Sequence, residues 1–149
     1  MTNGGYLTLD QIKGSKDINF ADVPIPEWDG TVRIKSLTAA ERAQFEAKLM
    51  TIQQRMRIGG AKKSDEEQYA TVNFHAHEAR VLLVTLSIVD EHGNRMFDAD
   101  EAGLKLVGSK GDGPIRRIYD AATKLNGMDS EAQKELAGES DAAGAAASS

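Results

Sequence analysis

Apolar and polar positions along the chain change period several times, and each change marks an element. Tyr6-Leu7-Thr8-Leu9-Asp10-Gln11-Ile12-Lys13-Gly14 reads as one or two helical turns, with Leu9 and Ile12 on one side. Thr8 is placed as N-cap with Gln11 three residues on, and Gly14 is a stop. From Ile18 to Ile25 the residues are of extended type, broken by Pro24 and Pro26. Trp28-Asp29-Gly30 follows, then the alternating run Thr31–Leu37. Asp-Gly between two such runs predicts a β-hairpin near 20–37, with glycine supplying the positive φ. Val32 and Ile34 share one face of the second strand, and Arg33 and Lys35 share the opposite, wet face. The prolines make the first strand an edge or an irregular one.

After Leu37 the period becomes helical. Thr38-Ala39-Ala40-Glu41 spells a capping box, and Phe45, Leu49, Ile52 and Met56 form one face of a helix ending near Ile58. A glycine-containing loop spans 59–65, and Ser64 with Glu67 marks a second capping box. A long helix then runs to about Val89, and its half Ala79–Val89 should be the most buried part of the molecule. That half is rich in Val, Ile and Leu, so periodicity alone leaves a strand open there. A turn at 90–95, a short helix begun by Asp98 and running through Val107, and a loop at 108–113 come next. Pro114 is placed at the first position of a helix with Ile115, Ile118, Tyr119, Ala122 and Leu125 on its apolar face, ended by Asn126-Gly127. A last short helix is expected over 129–137.

The expected fold class is therefore mainly α with a small N-terminal β-hairpin (α+β). It is a compact helical domain of four to five helices with a disordered C-terminal tail. Residues 1–5 form a flexible N-terminus, 6–137 a single domain, and 138–149 an Ala/Ser/Gly tail.

Composition narrows the chemistry. With no cysteine among 149 residues, disulfides, thiolate nucleophiles and cysteine zinc sites are excluded. The formal net charge is −5, and residues 129–149 carry five acids against one lysine. No apolar run approaches the roughly 18–20 residues of a membrane span. His75 and His77, two apart on a helix, point away from each other and do not share an ion. The glycines at 103–113 do not spell a phosphate loop, because the lysine and hydroxyl are out of order. No acid/base frame and no nucleophile elbow is present. These readings predict no enzyme, no cofactor, no metal site, no nucleic-acid partner and no membrane partner. Arg33, Lys35, Arg42, Lys48, Arg55 and Arg57 tilt the N-terminal half basic, which keeps a small nucleic-acid-binding regulator as one alternative.

The order of the segments resembles the tail assembly chaperone family of long-tailed bacteriophages (siphophages). The opening Leu7–Ile12 is similar to the family's short N-terminal helix. Val23-Pro24-Ile25-Pro26-Glu27-Trp28-Asp29-Gly30, the strand Thr31–Leu37 and Leu37-Thr38-Ala39-Ala40-Glu41-Arg42 resemble its strand, Pro-Glu-Trp, glycine turn, alternating strand and Leu-Thr-x-x-Glu-Arg helix start. Arg80–Asp90 with Glu91, Gly93 and Phe97 looks like its buried helix and Asp-Glu-x-Gly-x-x-x-Phe, and Ile115–Gly127 like its closing helix and Leu-Asn-Gly. The loop at 105–113 departs from the pattern by its extra glycines. The resemblance implies a non-enzymatic protein of the host cytoplasm, absent from the mature virion. Such a protein binds and solubilises the tape-measure protein. It also implies possible partners in the major tail (tube) protein, a longer frameshifted form of the chain itself, and further copies of it. Candidate partner-binding residues are Trp28 with Val32 and Ile34 on the hairpin, and Phe45, Leu49, Met50, Ile52 and Met56 on the helix after it. The alternative within virion assembly is a structural component, such as a head–tail connector or minor tail protein.

Overall fold

The computed structural model describes the backbone of residues 5–59 and 65–128, and the side chains of all of these but 56–75. Its elements are α1 (Leu9–Gly14), β1 (Phe20–Ile25), a 3-10 turn (Pro26–Trp28), β2 (Gly30–Lys35), α2 (Ala39–Gly59), α3 (Asp65–Ser87), β3 (Ile88–Val89), α4 (Glu101–Gly108) and α5 (Asp112–Leu125). The expected capping box at Ser64, the helix at 129–137 and the tail lie outside the described residues.

β1 and β2 pair antiparallel, from Phe20 opposite Lys35 to Ile25 opposite Gly30. The connection is not the two-residue Asp-Gly turn expected. Pro26, with its fixed φ, opens a 3-10 turn, and Asp29 rather than a glycine takes the left-handed conformation, at φ 57°. The expected helix through Val89 stops at Ser87. Thr85 and Ser87 turn their hydroxyls back onto the carbonyls of Val81 and Leu83, each at 2.7 Å. Ile88 and Val89 then leave the helix as β3, pairing with Ile34 and Arg33. β2 is thus the central strand of a three-stranded sheet.

Period-2 alternation sends Ala21, Val23, Ile25, Val32 and Ile34 to one face, where they meet the helices. Leu83, Leu86 and Val84 of α3 and Ile118 of α5 are fully enclosed with them, so the second half of α3 is the centre of the core as expected. The other face of the sheet carries charges. Arg33 pairs with Asp22 at 2.8 Å, but Lys35, expected to be wet, is buried against Glu41. The reason is the entry of α2. The Glu41 carboxylate folds back over Lys35 while closing the Thr38 capping box, accepting from the Thr38 amide at 3.0 Å, and Arg95 reaches its second oxygen at 3.4 Å.

Two helix starts also shift. Asp100, not Asp98, caps α4, accepting from the Gly103 amide at 2.8 Å. Pro114 is the third residue of α5 rather than the first, still within the turn whose amides have no partner in the helix. The end of α5 is as expected: Asn126 terminates it and Gly127 takes φ +66°. Asn126 Oδ1 accepts from the Leu37 amide at 2.8 Å, which ties the last helix to the start of α2. α1 has its full capping box through Thr8 and Gln11, yet none of its residues is buried.

Candidate protein-docking groove

The hairpin turn, the connection after β3 and the two last helices enclose an apolar groove of about 390 Å³. Trp28 of the 3-10 turn and Val32 of β2 form one wall. Met96 and Phe97 follow β3, and Leu106 of α4 and Ile115 of α5 close the opposite side. Three of these apolar side chains open to solvent: Trp28 is 39% exposed, Leu106 48% and Met96 57%.

Local chemistry holds each wall in place. Glu27 makes a two-pronged ion pair with Arg117 of α5, at 2.7 and 3.0 Å, and so fixes the turn that carries Trp28. That pairing holds the Glu27 carboxyl below its ordinary value: the Arg117 hydrogen bonds act first, with a backbone bond added. On α4, both Val107 and Leu106 line the groove, Val107 buried at 3% exposure and joined to the core, Leu106, about 100° round the helix, open to solvent. Gly103 lets α4 begin close against the preceding loop, since a Cβ there would overlap the Asp98 carbonyl oxygen. The groove is therefore built from parts braced on the core rather than on free loops.

Of the residues picked from the sequence, Trp28 and Val32 line this groove. Ile34, Phe45 and Ile52 do not present a surface: Ile34 lies on the inner face of β2, and Phe45 and Ile52 lie on α2, which packs on α3, so each is buried in the chain's own core. Leu49 packs half-buried at the edge of the same core, and Met50 is exposed on the outer side of α2. The side chain of Met56 lies outside those described. A second cleft, of about 1030 Å³, does run beside α2, but its walls there are Gln44, Lys48 and Thr51 with the small Ala47, the neighbours of the predicted stripe rather than the stripe itself. Across it Glu78 draws Lys48 to 3.1 Å and Arg55 to 3.6 Å without an aligned hydrogen bond to its buried oxygen. His77 also borders this wet cleft. Among the described residues no three His or acidic side chains converge as metal ligands. No helix described is long and apolar enough to cross a membrane.

Much of the basic tilt of the N-terminal half is matched locally by acids among the described residues, and the side chain of Arg57 lies outside them. Arg33, Lys35, Arg42 and Lys48 each have a carboxylate, in Asp22, Glu41, Glu46 and Glu78. Sequence reading missed Met96, Phe97, Leu106 and Ile115 as partners of Trp28. The one legible signal was Leu104-Lys105-Leu106-Val107, which has more apolar residues than one buried stripe of a short helix uses.

A family model described as phage tail assembly chaperone matches residues 10–136. The chain belongs to the phage tail assembly chaperone family. Among solved structures, the bacteriophage HK97 tail assembly chaperone is similar at 16% identity and a TM-score of 0.49, covering 78% of this chain and 91% of that one. No curated protein sequence matches the chain.

Proposed function

We propose that this chain binds the phage tape-measure protein in the host cytoplasm and keeps it soluble while the tail is built, then stays out of the finished virion. The observation that carries this reading is the groove beneath Trp28. Monomeric proteins rarely leave a tryptophan, a methionine and a leucine together at the mouth of an apolar hollow unless another chain covers them. A long, apolar, helical client supplies what such a groove takes, and methionine adapts to varied client surfaces. The tube protein and a frameshifted form of the chain itself are further partners that family membership suggests.

Co-expression with the tape-measure protein, followed by affinity capture and size exclusion, tests the proposal. The tape measure is expected in the soluble fraction with this chain, in the pellet without it, and in reduced yield with Trp28→Ala. An insoluble tape measure that never associates, together with this chain in purified virions, would replace the proposal with a structural virion component.

A further inference from the structure

The groove carries information about the partner beyond its apolarity, and this step rests on the docking role just proposed. The two strands that line it, β2 through Val32 and β3 through Ile88, offer no free edge. Both edges of β2 are taken, by β1 and β3, and the outer side of β3 is closed by the bridge from Val89 to Arg95 and by the Met96 amide on the Ile88 carbonyl at 3.2 Å. An extended peptide laid there would bury backbone amides with no ladder to join, whereas a helix satisfies its own. Lys110, at the end of α4, is the one charged residue in the lining. Among the described residues its amine has no carboxylate partner, while Arg117 nearby is matched by Glu27 and Arg116 by Asp112.

We propose that the groove selects an amphipathic helix whose apolar anchor sits under Trp28 and which carries a carboxylate one turn away, met by Lys110. Apolar burial supplies the attachment, and the charge supplies the choice among helices and their direction. Attraction between exposed charges is modest and screened by salt, so the preference is a few-fold and depends on ionic strength.

The test uses three synthetic 16-residue helical peptides with the same leucine stripe, differing only in Glu, Gln or Lys one turn from the central leucine. Each is titrated into the full chain at low salt, reading the emission of Trp28, the single tryptophan. The Glu peptide is expected to bind about two- to fivefold more tightly than the Gln peptide, with the Lys peptide weakest. The gap is expected to close at 0.5 M salt and in Lys110→Gln, whose exposed site leaves folding intact. Equal affinities, or a gap that survives Lys110→Gln, would overturn the inference. So would a Trp28 signal that moves with protein concentration alone, since a second copy would then fill the groove. If the peptides fail while the tape measure is still kept soluble, the chaperone role stands and the groove assignment falls. If the peptides discriminate while the tape measure stays insoluble, the groove stands and the client is another tail protein.

Discussion

The Glu41 carboxylate joins three parts of the fold, so Glu41→Gln is the perturbation with the clearest expected magnitude. One oxygen meets the Lys35 amine and the Thr38 amide, and the other faces Arg95 at 3.4 Å. The Lys35 and Glu41 side chains keep only 9% and 11% of their exposure. Glutamine retains a carbonyl for the Thr38 amide, so the helix cap persists and only the charge is removed. What remains is a buried ammonium whose other acceptor is the Ser36 carbonyl, at 3.4 Å. Breaking a buried pair from one side costs about 3–5 kcal/mol. Because the pair lies near the surface, about 2–3 kcal/mol is expected here. Urea unfolding followed by Trp28 emission measures it. In a Lys35→Met background there is no stranded ammonium, and the same change should cost about 1 kcal/mol or less, a coupling of about 1–2 kcal/mol, within the roughly 0.5–3 kcal/mol found for contacting residues. Glu46→Gln, in the exposed pair with Arg42, serves as control and should cost no more than about 0.5 kcal/mol. A cost for Glu41→Gln below 1 kcal/mol, or an equal cost in both backgrounds, would refute the account.

The same carboxylate predicts a pH dependence. Burial alone would raise the Glu41 pKa, but the Lys35 hydrogen bond and the Thr38 amide outweigh it and hold it below the ordinary 4.5. The unfolded chain then binds the proton first, so this contribution is complete above about pH 4.5 and disappears as pH falls through the lowered value. Acid titration of stability should show a component in the native chain that Glu41→Gln lacks. Gly93→Ala should cost about 1–2 kcal/mol from its φ of +85°, the half-exposed Phe20 ring shifting to make room for the new Cβ; the urea midpoint reads it. Removing residues 1–14 should leave the unfolding free energy within about 0.5 kcal/mol, since no residue of α1 is buried.

Local rules written in consecutive residues were legible before the structure. The Thr38–Glu41 and Thr8–Gln11 capping boxes, the Asn126-Gly127 stop, the alternation that splits Val32 and Ile34 from Arg33, and the burial of Ala79–Val89 all follow from spacing within a few residues. So did the mainly helical class with a small hairpin. Trp28 stood out because it sits on the predicted hairpin.

Other features depended on which segments meet in space. Ile88 and Val89 have the same composition as the helix before them, and only the open edge of β2 makes them a strand. Lys35 alternates like a solvent-facing residue, and only the return of Glu41 over it, with Arg95 from far along the chain, encloses it. The docking candidates divided for the same reason. Phe45 and Ile52 have the right chemistry for a partner and are buried in the chain's own core where α2 packs on α3, while Met96, Leu106 and Ile115 come from three separate segments and become a surface only beside Trp28. Periodicity along a chain says that a face will be buried. Whether the molecule itself or another one covers it is decided by long-range packing.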